Sequence, residues 1–356
     1  MRARDRNQRA GGSKLAVPMS IAAMEARPAE ALPTGNGWQF EPKWDGFRCL
    51  AFRAGRDIEL HGRSKVLTRF FPEMVEKLQA LPAGAFALDG ELTVPVGDRL
   101  SFDALQQRLH PAASRIKKLA AETPANLILF DCLQSLEGDS LLDAPMLVRR
   151  AELERWFAHF GDIPGLHLSP ATHSRDEAEL WLAQAGGAID GVVAKHLDGV
   201  YVPGERTMIK VKRLRTADVV VGGFRYERMR QVVSSLLLGL YDAQGRLDHV
   251  GFTAALPADY RAQLTPYLES LVEPPGFTGK APGGPSRWSD ERSEQWHPLR
   301  PVLVAEVRYD HATQNRFRHG TTLLRWREDK DPRDCTFDQL REEASAAELV
   351  HDLTGS

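Results

Sequence analysis

The 356-residue sequence contains no long apolar run and only three cysteines. The longest apolar run, near residues 236–241, is far too short to cross a bilayer, which takes about 20 apolar residues. The basic start, MRARDRNQRAGGSK, has no apolar segment behind it, which argues against a secretory signal. Cys49, Cys132 and Cys335 are widely separated and form no Cys-x-x-Cys pair, which excludes a zinc ribbon and a disulfide framework. These absences predict a protein of the reducing cytoplasm that has no membrane partner.

The sequence also has little net charge, −2 at neutral pH. A nucleic-acid binder needs a local basic field rather than a basic total, so the distribution matters more than the sum. Residues 204–230 hold eight Lys or Arg against three Asp or Glu, a second basic group spans 308–330, and the tail after it is acidic. These clusters allow a polyanionic partner, but a solvated charged face explains them equally well.

Short apolar strands mixed with amphipathic helices predict an α+β fold. Regular strand–helix alternation, which a doubly wound parallel sheet requires, is absent, so a mixed or antiparallel sheet fits better. Strands are predicted around WQFEPKW, FRCLAFRAG, FALDGELTV, NLILFDCL, AIDGVVAKH and TMIKVKR, and helices over 102–109 and 146–160.

The pattern changes near residues 214–218, which we take as a domain boundary. Beyond it, short strands surround one predicted helix, 257–271, and a Pro/Gly-rich loop follows, as in a small oligonucleotide-binding (OB) barrel. The expected organisation is a disordered basic arm over 1–15, a first domain over 16–215, an OB-fold domain over 216–340 and an acidic tail over 341–356.

The stretch Lys43-Trp44-Asp45-Gly46-Phe47-Arg48 carries the most chemical information. Lysine becomes a nucleophile when burial and neighbouring charges favour its unprotonated amine. A strand end followed by Asp-Gly can hold that amine at the floor of a pocket, and Arg48 offers a fixed fork for phosphate or sugar oxygens. A charged hairpin loop is the alternative interpretation.

This K-x-D-G-x-R pattern resembles motif I of the covalent nucleotidyltransferases, which comprise DNA ligases, RNA ligases and mRNA capping enzymes. Further motifs of that family follow in order over residues 37–332: HGRS, LDGEL, LFD, DGVVAK, GER with KVK, and RWREDK. Taken singly, each has an ordinary alternative, such as an exposed Asp-Gly turn, a core phenylalanine or paired lysines on an edge strand.

The resemblance implies a role for each matching residue. Lys43 would carry AMP, Glu41 would recognise the adenine amino group, Glu91 would contact the ribose, and Phe130 would stack on the purine. Asp190 would hold a divalent metal, although Glu is more usual there. The cations expected around the nucleotide and its phosphates are Arg48, Arg63, Arg206, Lys210 and Lys212. Arg63 lies in a loop one residue shorter than usual. Arg325, Arg327 and Lys330 match motif VI, which orients the pyrophosphate.

Three features select a branch of the superfamily. Arg48 and the lack of zinc-ligand cysteines indicate ATP rather than NAD as the donor, and Lys195 argues against a capping enzyme. Residues 102–109 and 276–288 resemble the small bacterial ligases of types C and D. Because no polymerase or phosphoesterase segment is visible, the stand-alone C type is the better match.

The resemblance therefore implies an ATP-dependent DNA ligase that seals nicked duplex DNA with Mg²⁺ or Mn²⁺, in repair or end joining. It also implies a monomer in the cytoplasm, associated with the nucleoid, with Ku or a primase-polymerase as candidate partners. An RNA ligase or capping-like enzyme, and a non-catalytic nucleic-acid-binding module, stay open as alternatives.

Overall fold

The computed structural model describes residues 14–82, 84–97, 99–161, 163–185, 189–283, 295–310, 312–313 and 315–340. These residues form two compact units with a boundary between Arg213 and Leu214. We call residues 14–213 the first unit and residues 214–340 the second unit. Most of the predicted basic arm, 1–13, and all of the predicted acidic tail, 341–356, lie outside the described residues. Within the described chain, no helix is long and apolar enough to span a membrane.

The first unit combines two principal sheets with five α-helices and one short 3-10 helix, Thr68–Phe70, among its described residues. Its strands are β1 Ala26–Ala29, β2 Trp38–Trp44, β3 Phe47–Gly55, β4 Asp57–His61, β5 Gly84–Thr93, β6 Pro95–Val96, β7 Arg99–Leu100, β8 Asn126–Cys132, β9 Leu166–Leu168, β10 Ile189–His196 and β11 Met208–Lys212. Its helices are α1 Pro72–Gln79, α2 Phe102–Gln107, α3 Ala113–Glu122, α4 Met146–Phe160 and α5 Arg175–Gln184. The sheet orders are β1-β11-β10-β2 and β4-β3-β5-β8-β9, both with parallel and antiparallel pairs.

Strand β2 shows how the local sequence separates core from site. Successive side chains of a strand point to opposite faces. Phe40 and Trp44 are buried in an apolar cluster with Trp181 of α5. The alternate residues Gln39, Glu41 and Lys43 therefore share the other face of the strand. Burying each large apolar side chain contributes about 1.5–3 kcal/mol. Because Phe40 and Trp44 are held in the core, the polar side chains of β2 must lie on the opposite face.

The second unit is a strongly paired antiparallel sheet with one α-helix in its described part. Its strands are β12 Arg215–Glu227, β13 Arg230–Tyr241, β14 Leu247–Thr253, β15 His297–Pro298, β16 Val304–Tyr309, β17 Ala312–Thr313, β18 Arg316–Phe317 and β19 Thr322–Trp326, and the helix is α6 Ala258–Glu269. The main order is β14-β13-β12-β16-β19. An isolated parallel bridge links Thr253, at the end of β14, with Thr321, just before β19, so the two outer strands approach each other at one end. Such an approach is expected in a small barrel.

The predicted α+β class with mixed and antiparallel sheets is confirmed. Two predicted helices are shorter than expected: the structure has Phe102–Gln107 and Ala258–Glu269, whereas Met146–Phe160 was predicted correctly. Helices α1, α3 and α5 were not predicted. Helices α1 and α3 are amphipathic, but each buries only two side chains. The apolar pattern in the sequence is therefore too short to indicate a helix.

Candidate active site

A cavity of about 900 Å³ lies in the first unit. It is bounded by the polar face of β2, by β3, by the loop after β4 and by residues 19–26. Seven of the residues singled out in the sequence line it: Glu41, Lys43, Arg48, Arg63, Glu91, Phe130 and Lys210. Cavities of this size suit a nucleotide or a drug-sized molecule. The structure thus gathers side chains from five separate motifs around one space.

Lys43 stands one residue before the end of β2, and its amine reaches across to β10. Its Nζ lies 2.9 Å from Oδ2 of Asp190, a charge-assisted hydrogen bond. The adjacent Gly191 pairs with Lys43 on one side and Lys212 on the other. A Cβ on Gly191 would come within 2.1 Å of the Val211 carbonyl oxygen, so only glycine allows these strands to approach so closely.

Asp190 is shared by two lysines. Besides Lys43, Nζ of Lys212 lies 3.4 Å from the same carboxylate oxygen. Lys210, two residues earlier on β11, lines the cavity, and its pKa is lowered by burial and by the charges of Lys43 and Lys212. Because the charges of three lysines act on one another here, the local field favours an anion such as a phosphate.

Arg48 is held rigidly at the cavity wall. Its Nε and Nη2 donate to the two carboxylate oxygens of Asp89 at 2.6 and 2.7 Å. Nη2 also donates to the Met24 carbonyl oxygen. Tyr201 donates a hydrogen bond of 2.6 Å to Asp89, which is fully buried. Burial disfavours the charged guanidinium, but the charge and hydrogen bonds of Asp89 outweigh it, and the pKa of Arg48 is raised.

Glu91 lies directly across from Arg48 in the β3–β5 pairing and lines the same cavity. Its surroundings raise its pKa from 4.5 to about 8. Burial is the largest cause, and the charges of Arg48 and Lys43 act against it. Gly46 packs beside this carboxylate, where a Cβ would come within 2.2 Å of the Leu92 carbonyl oxygen. Glycine is therefore required at position 46 of the motif, because the turn packs closely against β5.

Glu41 and Phe130 form the opposite part of the cavity with Lys195. Glu41 accepts from Gln39 Nε2 at 2.7 Å and lies 2.9 Å from Lys195 Nζ. Phe130 is 8% exposed, and its ring centroid lies 4.5 Å from the guanidinium carbon of Arg48 and 4.8 Å from Lys195 Nζ. The predicted base-binding residues are thus together, with two cations already over the aromatic ring.

Arg63 and Arg206 share a carboxylate at the edge of the site. Both are exposed and both pair with Glu25, at 3.0 Å for Arg63 Nη2 and 3.4 Å for Arg206 Nε. Exposed pairs of this kind contribute about 0–1 kcal/mol, so a phosphate could exchange for the carboxylate at little cost. Arg63 lines the cavity, whereas Arg206 is not among the residues that line it.

The remaining predicted residues, Arg325, Arg327 and Lys330, belong to the second unit. Arg325 Nε donates to Glu306 at 2.6 Å. Arg327 pairs with Asp218 and with Asp329, each at 2.9 Å, and these contacts raise the pKa of Arg327. The pKa of Asp329 is lowered to about 2, chiefly by the hydrogen bond that it accepts from Arg327. Lys330 is half-buried in the turn after β19.

For a divalent metal, the first unit offers a carboxylate rather than a complete cage. Among the residues that the structure describes, no group of three or more His, Cys, Asp or Glu is arranged to hold a metal ion. Magnesium commonly takes one or two protein carboxylates and completes its octahedron with water and substrate phosphates. Asp190 lies beside Lys43 and Lys212, which can bind phosphate oxygens, so it fits that mode of binding.

Several residues at the site were not predicted from the sequence. Asp89 and Lys195 lie inside recognised motifs, but Lys195 was used there only to distinguish ligases from capping enzymes. Gln39 contacts Glu41, two residues later on the same face of β2, so strand alternation could have drawn attention to it. Tyr201 and Glu25 carry no local signal, because their importance arises from contacts with residues distant in the chain. The hydrogen bond of Tyr201 with Asp89 spans 112 positions.

Comparisons with known proteins agree with this geometry. Residues 18–212 match the model of the ATP dependent DNA ligase domain, and residues 229–330 match that of the ATP dependent DNA ligase C terminal region. The chain is 42% identical over 343 residues to DNA ligase C2 of Mycolicibacterium smegmatis, covering 92% of this chain and 96% of that protein. It is 39% identical over 344 residues to DNA ligase C of Mycobacterium tuberculosis, covering 92% and 95%.

A solved structure from a structure–function study of Lig E DNA ligases has the same fold, with a TM-score of 0.52. It is 17% identical to this chain and covers 86% of it and all of its own length. The resemblance found in the sequence and the predicted fold class are both confirmed. The chain belongs to the family of ATP-dependent DNA ligases.

Proposed function

We propose that this protein seals nicks in duplex DNA with ATP, through AMP bound covalently to Lys43. The observation that carries the proposal is the placement of one lysine amine in a nucleotide-sized cavity, 2.9 Å from a carboxylate and surrounded by cations. Membership of the ligase family and relatives named DNA ligase C support the same activity.

In the first step, Lys43 Nζ attacks the α-phosphorus of ATP. An N–P bond forms, the bond from the α-phosphorus to the bridging oxygen breaks, pyrophosphate leaves, and the amine gives up a proton. Catalysis of phosphoryl transfer comes mainly from positioning and charge neutralisation. Arg48 and Lys210 line the same cavity as Lys43, and Lys212 shares Asp190 with it, so these cations are suited to that task.

In the second step, an oxygen of the 5′-phosphate at the nick attacks the phosphorus of the lysyl-AMP. The N–P bond breaks, and AMP moves to the DNA. In the third step, the 3′-hydroxyl attacks the 5′-phosphorus, the nick closes, and AMP leaves. Arg63 and Arg206, exposed at the edge of the cavity, are the cations we assign to phosphates outside it.

We assign the base and ribose to the side of the cavity away from Asp190. Glu41 is proposed to accept from the adenine amino group, Glu91 to hold the ribose, and Phe130 to face the purine. Arg48, held by Asp89, and Lys195 already lie near the ring of Phe130, so a purine that faces this ring shares it with these cations.

Asp190 is the residue we assign to a divalent metal, Mg²⁺ or Mn²⁺. A bound cation would neutralise charge on the phosphate oxygens during transfer. The protein's own contribution is the Asp190 carboxylate, which pairs with Lys43 and Lys212. The same carboxylate can bind a metal cation when one is present.

The second unit is proposed to be an OB-fold domain over 216–340, following an adenylation domain over 16–215. Arg325, Arg327 and Lys330 are assigned to the pyrophosphate in the first step, by their match to motif VI. The monomeric state, the cytoplasmic, nucleoid-associated location and Ku or a primase-polymerase as partners stay predictions.

An RNA ligase or capping-like enzyme is the second candidate. The relatives named DNA ligases favour DNA, and comparing nicked DNA with nicked RNA duplexes would separate the two activities. A non-catalytic binding module is disfavoured, because Lys43, Arg48 and Lys210 are all present and line one cavity.

The test is transfer of label from ATP labelled at the α-phosphate. Wild-type protein should become labelled and Lys43→Ala should not, while both unfold cooperatively. Lys118→Ala is the matched control, since Lys118 is an exposed lysine on α3. Labelling of Lys43→Ala at the wild-type rate would refute the proposal.

A further inference from the structure

We infer that Lys195, assisted by Gln39, sets the base specificity of the enzyme by holding Glu41 as a fixed hydrogen-bond acceptor. The inference rests on the proposed function, in which Glu41 meets the base of ATP. Lys195 and Gln39 are thus positioning residues that act through Glu41. Their role, discrimination of a 6-amino purine from a 6-keto purine, can be measured.

The three side chains come from two paired strands. Gln39 and Glu41 lie on the polar face of β2, and Lys195 of β10 is the cross-strand partner of Gln39. Glu41 Oε1 accepts from Gln39 Nε2 at 2.7 Å, and Glu41 Oε2 lies 2.9 Å from Lys195 Nζ. Each carboxylate oxygen therefore has its own donor, which fixes the plane of the carboxylate.

Both members of the Glu41–Lys195 ion pair are buried. Glu41 is 2% exposed and Lys195 is 4% exposed. A buried carboxylate is stable in its ionised form when a cation and hydrogen bonds compensate it. An ionised carboxylate is an acceptor only, whereas a neutral carboxyl group also donates. Paired with the ammonium group of Lys195, Glu41 is therefore a hydrogen-bond acceptor.

An acceptor-only group discriminates between purines at position 6. Adenine presents an amino group there, which donates to a carboxylate. A 6-keto purine presents an oxygen, which would face the carboxylate without a proton between them. A buried polar group that is left unpaired is costly, so such a site rejects the 6-keto base.

Lys195 also joins the acceptor to the aromatic side of the base subsite. Its Nζ donates to the Phe130 carbonyl oxygen at 2.8 Å and lies 4.8 Å from the ring centroid. Asp131, next in the chain, is 4.0 Å away and adds a second negative charge. One ammonium group therefore holds both Glu41 and the strand that carries Phe130.

The experiment compares ATP with ITP, whose base has a 6-keto group and a proton on N1 and lacks the 2-amino group of guanine. The readout is kcat/KM for self-adenylylation with each nucleotide, and the specificity is their ratio. Wild type should favour ATP. Lys195→Met should lower the ratio about tenfold or more, since a hydrogen bond to a charged acceptor is involved. Gln39→Met should lower it less, because Glu41 keeps its cation.

The control variant is Lys118→Met, which should retain the wild-type ratio. Glu41→Gln provides an amide that can donate as well as accept, so the ratio should fall. In that background, Lys195→Met should cause little further change in the ratio, because both act through one group. The double variant removes both buried charges and so protects the test if Lys195→Met fails to fold.

Equal losses of kcat/KM with ATP and ITP in Lys195→Met and in Gln39→Met would overturn the inference, because a merely structural role lowers both alike. An additive effect in the double variant would overturn it as well. If wild type takes label from neither nucleotide, the proposed function fails, and the inference fails with it.

Discussion

The two units differ in where they keep their charges. In the first unit, arginine and lysine side chains are buried or half-buried in pairs with carboxylates at 2.6–2.9 Å: Arg48 with Asp89, Arg108 with Glu73, Arg149 with Asp131 and Lys195 with Glu41. The second unit has a core of aliphatic and aromatic side chains. Its pair Arg327 with Asp218 is half-buried, with side chains 19% and 14% exposed, and its pair Arg325 with Glu306 is on the surface, the arginine being 63% exposed.

The difference shows what each unit contributes. Buried ion pairs add little stability over apolar residues, because desolvation offsets their attraction. Two of the pairs, Arg48–Asp89 and Lys195–Glu41, include residues that line the cavity, so pre-organisation of a polar site is their best explanation. The second unit is stable through its core, which leaves its surface cations able to meet an external polyanion and makes their effect salt-dependent.

The largest effect should come from Asp190→Asn in the first unit. The amide keeps the shape but removes the charge that a hard cation and two lysines require. Self-adenylylation and sealing should fall by orders of magnitude at every Mg²⁺ or Mn²⁺ concentration. Asp57→Asn, at an exposed position on β4, should leave both rates unchanged. An Asp190→Asn variant with normal rate and metal dependence would place the metal-binding acid elsewhere.

A smaller and more selective effect is expected from Arg327→Ala in the second unit. Pyrophosphate leaves only in the first step, so self-adenylylation should slow about tenfold or more, as for removal of a charged hydrogen bond. Sealing of a nick that already carries 5′-AMP should change much less. Arg300→Ala, an exposed arginine of the same unit, is the control. Equal slowing of the two steps would refute a role specific to pyrophosphate.

The pH dependence of stability should reveal the carboxyl group of Glu91, a half-buried residue that lines the cavity. The pKa of Glu91 is about 8 in the folded protein, above its ordinary value of 4.5. The folded state therefore binds more protons between these values, and stability contributed by Glu91 is complete below pH 4.5 and lost as the pH rises through about 8.

Urea unfolding as a function of pH tests this. Wild type should lose stability over that range relative to Glu91→Gln, whose amide does not titrate. Glu122→Gln, at an exposed position on α3, should follow wild type. Parallel curves for wild type and Glu91→Gln would show that the carboxyl group titrates normally.

The smallest effects compare a buried hydrogen bond with a surface pair. Tyr201→Phe removes the donor to Asp89 and the acceptor of the Met24 backbone amide, and it should cost about 1–3 kcal/mol of unfolding free energy. Tyr267→Phe, half-exposed on α6, should cost almost nothing. Arg325→Ala should cost at most about 1 kcal/mol, since its pair is on the surface. If Arg325→Ala cost more than Tyr201→Phe, the contrast between the units would be wrong.

The sequence was most informative where the chemistry is local. K-x-D-G-x-R predicted the strand, the turn and the lysine together, because glycine and the strand end are dictated by neighbours in the chain. The lysines of β11 followed from strand alternation. The resemblance assigned Lys43, Asp190 and Lys212 to one nucleotide site, and the structure brings the three side chains within ion-pair distance.

What could not be predicted depends on contacts between distant segments. Tyr201 meets Asp89, and Glu25 meets Arg63, without any pattern in either segment. The raised pKa of Glu91 is likewise a product of burial that only the packed β3–β5–β8 sheet creates. Helices α1 and α3 were missed because each buries only two side chains, too few to establish a period.

A pulse–chase of the labelled enzyme tests the central claim most directly. The protein is labelled with α-phosphate-labelled ATP, freed of nucleotide, and the modified residue is mapped; a nicked duplex with a 5′-phosphate is then added with metal. The account predicts label on Lys43, its transfer to the 5′-phosphate, and release as AMP when the strand is sealed. Label on another residue, or label that stays on the protein while the nick closes, would contradict it.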